Sequence, residues 1–114
     1  MISGFEAETK ALTPREMNAA NCLSNFFDNM PTGLPIRSVK LIGYLKANGY
    51  IVNGGRLRKI INYIRINGLV KGLLASHEGY YKAQSIKQVL DYTEGLKGRA
   101  KAINRVAEIL EINI

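Results

Sequence analysis

Asn53 to Tyr81 reads NGGRLRKIINYIRINGLVKGLLASHEGYY. At 3.6 residues per turn, Leu57, Ile60, Ile61 and Ile64 share one side of a helix, at the spacing of a buried stripe. Arg58, Lys59, Asn62 and Arg65 fall on the other side or its edge, flanked by Arg56 and Tyr63. Asn53 suits the N-cap, and Asn67-Gly68 suits the stop. Leu69 to Ala75 is apolar and strand-like. Ser76-His77-Glu78-Gly79 can turn the chain, and Tyr80 to Ala83 can return as a second strand. The stretch therefore predicts a basic helix followed directly by a hairpin.

The charge pattern says what such a helix meets. No acidic residue stands between Asp28 and Glu78, whereas Arg37, Lys40, Lys46, Arg56, Arg58, Lys59, Arg65 and Lys71 do. These eight cations account for more than the whole formal charge of +7. Ordinary solvated faces mix signs. A one-signed region is the footprint of a surface that meets a polyanion.

Upstream, Thr13-Pro14-Arg15-Glu16 opens a helix with a capping box and a proline at its first position. It runs to about Asn29, with Met17, Ala20, Leu23, Phe26 and Phe27 as its expected inner side. Met30 to Pro35 breaks it. Ile36 is expected in a very short strand, and Ser38 as the cap of a second helix whose inner side is Val39, Leu41, Ile42 and Leu45. Asn48-Gly49 ends that helix. A few residues later the basic helix begins, so the two make a helix-turn-helix, and the hairpin makes it a winged one.

Downstream, Ser85-Ile86-Lys87-Gln88 is a second capping box, opening a helix to about Ile112. Val89, Leu96, Ile103 and Leu110 recur every seven residues. So do Ile86, Thr93, Ala100, Ala107 and Ile114, three positions ahead of them. This is an a/d seam of about four heptads. It suits packing on the chain's own first helix or pairing with a second copy, and the length of the helix favours a homodimer. The expected fold class is mainly α with a small β-hairpin: a winged helix-turn-helix with a long C-terminal helix. The expected divisions are an arm over 1–12, the winged domain over 13–84 and the C-terminal helix over 85–114.

The run Arg56 to Arg65, then Asn67-Gly68-Leu69-Val70, Leu74-Ala75-Ser76 and Gly79-Tyr80-Tyr81, resembles a group of small phage and prophage winged-helix proteins. Leu96 to Ile103 resembles their C-terminal segment, and the likeness covers about Thr13 to Ile109. It implies a winged helix-turn-helix that binds DNA, as a phage or prophage regulator or a replication-associated factor.

Other classes find little support. The 114 residues, 46% of them hydrophobic, make one globular domain. No apolar run approaches the roughly 18 residues of a membrane span. Met1 to Glu6 lacks the basic and apolar regions of a signal peptide. One cysteine, Cys22, suits a reducing, cytoplasmic setting and reads as a packing residue. His77 is the sole histidine. No zinc spacing, phosphate-cradling glycine loop or nucleophilic triad can be assembled, and neither a cofactor nor a catalytic role is expected. No small-molecule ligand is evident from the residues.

The expected partner is double-stranded DNA. In helix-turn-helix docking the second helix enters the major groove. Arg56, Arg58, Lys59 and Asn62 are then the expected base readers. Arg37, Lys40, Lys46, Asn53, Gly54, Gly55, Tyr63, Arg65, Lys71, His77 and Lys82 are the expected phosphate and backbone contacts. The alternative is a winged-helix module that docks an acidic protein surface without touching DNA.

Overall fold

The computed structural model describes residues 11–113. The arm expected over 1–12 therefore lies almost wholly outside the described residues, and the seam residue Ile114 lies outside them. The chain divides into two compact units, one ending at Ala83 and one beginning at Gln84.

The first unit holds three helices and a hairpin. Helix α1 is Pro14–Asp28, α2 is Ser38–Ala47 and α3 is Gly54–Ile66. Strand β1 is Leu73–Ser76 and β2 is Gly79–Lys82. Thr13 caps α1 in a full capping box: its Oγ1 accepts from Glu16 N at 3.1 Å, and Glu16 Oε1 accepts from Thr13 N at 2.9 Å. Both α2 and α3 stop on an Asn-Gly pair. Gly49 and Gly68 take φ of 89° and 63°, and Tyr50 N and Leu69 N reach back to Leu45 O and Ile64 O at 2.8 and 3.0 Å. That is the Schellman arrangement, which satisfies carbonyls a helix end leaves open.

The core is built from one side of each helix. Ala19, Ala20, Leu23 and Phe27 of α1 meet Leu41 and Leu45 of α2 and Leu57, Ile60, Ile61 and Ile64 of α3. Ile36, Val70 and Leu73 close it from the loop and hairpin side. The α3 stripe is the one that its periodicity predicts. Two inner sides are corrected. Met17 is 39% exposed and Phe26 half-buried, while Ala19 and Ser24 are buried in α1. Ser24 fits there because its hydroxyl donates to Ala20 O at 2.7 Å. Val39 is 82% exposed, so α2 turns only Leu41 and Leu45 fully inward. Ser38 is the first residue of α2 rather than its cap. Arg37 holds the cap position, without a side-chain bond.

The hairpin is antiparallel, pairing Leu73 with Lys82 and Ser76 with Gly79. It starts later than expected, because Gly72 at φ 65° bends the chain ahead of Leu73. Where a very short strand is expected, Ile36 makes an isolated antiparallel bridge: it exchanges two backbone bonds with Tyr80, at 2.8 and 2.9 Å. Gly79, at φ 131°, makes this approach possible. A Cβ there would overlap the Ile36 carbonyl and lie 2.9 Å from Arg37 N. Gly79→Ala should therefore destabilise the unit by about 1–3 kcal/mol, read in urea unfolding. Gly68→Ala, also at positive φ but with open space around it, should cost less.

The second unit is a single helix, α4, Ile86–Ile112. Ser85 caps it, accepting from Gln88 N at 3.2 Å. The Gln88 side chain reaches back to Gln84 N, at 2.7 Å, instead of to the cap residue. The helix is unbroken through Gly95 and Gly98, and none of its residues is buried. The order of elements, three helices, a hairpin and a long helix, resembles a winged helix. No helix among the described residues is long and apolar enough to cross a membrane.

Candidate nucleic-acid interface

Helix α3 is positioned by its stripe. With Leu57, Ile60, Ile61 and Ile64 at 1% exposure or less, the opposite side must face outward. Arg58 and Asn62 are exposed on it and Lys59 is half-buried. Ile66, one turn beyond Asn62, is 84% exposed and adds an apolar spot to that face. The first turn of α3 carries no acidic residue, so the positive end of its dipole is not neutralised from within the helix.

Arg56 is the base reader that the structure places elsewhere. Its Nε donates to Glu16 Oε2 at 2.6 Å, and an Nη donates to Glu16 Oε1. A further bond runs to Ala11 O at 3.0 Å. The two side chains are only 13% and 14% exposed. Arg56 therefore joins α3 to α1 instead of standing on the outer face. The guanidinium holds the Glu16 carboxyl down at about 2, against an ordinary 4.5, and the carboxylate raises Arg56 in return. The folded state thus binds this proton more weakly than the unfolded one. The stabilisation is full above about pH 4.5 and fades as pH falls toward 2. Glu16→Gln should flatten the acid limb of the stability–pH curve, measured by urea unfolding between pH 2 and 6.

Other expected contacts are engaged in the fold. Asn53 Oδ1 caps α3, accepting from Arg56 N at 2.9 Å. Gly54 is exposed but Gly55 is buried, so only the first of the pair offers its backbone. Tyr63 is half-buried against the core. Arg65 Nε donates to Leu73 O at 2.8 Å, tying the end of α3 to the start of β1.

The start of α2 and the wing tip come together. Arg37, Lys40, His77 and Glu78 line one open cleft, with the exposed Val39 beside them. The sequence pattern had placed Val39 in the core, so this apolar contribution was missed. His77 and Glu78 occupy the two-residue hairpin loop, with His77 Nε2 3.6 Å from Glu78 Oε1. The tip thus carries an acidic group. Lys46 and Lys71 are exposed, and Lys82 is half-buried at the end of β2.

Cys22 is half-buried against the core near Tyr44, whose pKa is raised by burial and by this neighbour. Comparison with models of protein families, with characterised proteins and with solved structures finds no match to this chain.

Proposed function

We propose that the first unit binds double-stranded DNA, with α3 in the major groove. One observation carries this reading. The outward side of α3, with Arg58, Lys59 and Asn62, belongs to a stretch without an acidic residue from Asn29 to His77. Arg can grip guanine in bidentate fashion and Asn can do so with adenine. Arg37, Lys40, Lys46, Lys71 and Lys82 are suited to phosphates, which position a protein without reading sequence. Arg56 and Arg65 act from within, by fixing α3 against α1 and β1. The resemblance to phage and prophage winged-helix proteins favours a role in transcription regulation or replication, in the cytoplasm, without catalysis or cofactor.

Binding to a random duplex library, followed by selection, tests the reading. Arg58→Ala should relax preference at one base position by about 1–3 kcal/mol. Lys40→Ala should weaken all sequences alike. Equal weakening of every sequence by both variants would remove Arg58 from base reading. Absence of any gel shift with mixed genomic fragments would leave the protein-docking module instead. Glu78→Gln should tighten binding a few-fold, because it removes the anion at the wing tip. No gain would keep the tip away from the phosphates.

A further inference from the structure

Helix α4 carries the largest set of exposed apolar side chains in the described chain. Leu96, Ile103 and Leu110 are 42%, 67% and 65% exposed, at heptad spacing. Thr93, Ala100 and Ala107 stand in the intervening layers. The Thr93 hydroxyl donates to Leu90 O at 2.9 Å, so this position can face an apolar partner without leaving a polar group unsatisfied. The ion pairs of the helix lie beside the seam and not across it: Lys87 with Asp91 at 2.7 Å, and Lys97 with Glu94 at 3.9 Å.

The sizes of the seam residues identify what covers them. One row is large: Val89, Leu96, Ile103 and Leu110. The other is small from Thr93 through Ala107. In a parallel pair each row meets itself, so alanine would face alanine and leave voids between the layers of large residues. In an antiparallel pair each row meets the other, and large then fills small.

One register does this from Thr93 to Leu110. With the two-fold axis between Lys101 and Ala102, Ala100 faces the partner's Ile103, Leu96 the partner's Ala107, and Thr93 the partner's Leu110. Lys97 and Glu111 flank the seam on one edge, so the two helices bring opposite charges to that edge. We infer that α4 pairs with α4 of a second copy of this chain as an antiparallel two-helix seam. The proposal does not depend on DNA binding.

The experiment uses the full chain. Sedimentation should show a dimer, and Leu96→Lys with Ile103→Lys should make it a monomer. A chain that is monomeric at every concentration overturns the proposal, as does a dimer that survives both lysines. Should the double variant instead unfold, a second measurement leaves the seam untouched. Nitroxide labels at Lys87→Cys, in a Cys22→Ala background, should lie roughly 45 Å apart, from 1.5 Å of rise per residue on each side of the axis. A separation below about 20 Å means parallel helices and overturns the orientation.

Discussion

Raising the salt from about 50 to about 200 mM should weaken binding to duplex DNA by about 500-fold. Each phosphate that a cation neutralises releases condensed counterions, at a log–log slope of about −0.9 per contact. Arg37, Lys40, Lys46, Lys71 and Lys82 give about five contacts per protomer, hence a slope near −4.5. Arg56 is left out because it is held by Glu16, and Arg65 because it is bonded to Leu73 O. Fluorescence anisotropy across a salt series measures the slope. Lys40→Ala should make it shallower by about one. A flat response would mean that this surface does not meet phosphates.

The second large effect is on stability. Phe27 is 1% exposed in the core of α1, and its ring stands edge-on to Phe26 at 5.8 Å between centroids. Phe27→Ala removes a whole buried ring and should cost about 3–5 kcal/mol. Domains of this size have only about 5–15 kcal/mol in total, so the melting temperature should fall by about 12 °C or more, from about 4–8 °C per kcal/mol. Phe26→Ala, at a half-buried position, should cost clearly less. Comparable losses from the two variants would contradict the placement of α1. DNA affinity in the folded fraction should be unchanged in Phe27→Ala, because the residue is buried in the core and not on the outward side of α3.

The elements closest to a regular period were the most legible. Leu57, Ile60, Ile61 and Ile64 fall within a narrow arc, and all four are buried. The capping box at Thr13 and the Asn-Gly stops follow local rules that leave little choice. Val39 was misread because it is apolar and close to the stripe in sequence, yet it projects well to one side of Leu41 and Leu45 on the helix wheel. Met17 and Phe26 flank the buried arc of α1 from opposite sides in the same way. Ser24 was missed because its hydroxyl is satisfied by its own helix, a bond that polarity alone does not reveal. At the candidate interface, charge located the surface but not the duty of each cation. Arg56 meets Glu16 across forty positions of sequence, and Arg65 meets a strand carbonyl. Neither partner can be found from local pattern, because both depend on how α3 packs.

Titration of isotope-labelled protein with a duplex oligonucleotide, followed by amide and side-chain shifts, addresses the central claim most directly. The largest changes should fall on Arg58, Lys59 and Asn62, with smaller ones at Arg37, Lys40 and Lys71 and none at Leu23 or Phe27. Changes confined to α1 or α4, with α3 silent, would contradict the assignment of α3 as the DNA-reading helix.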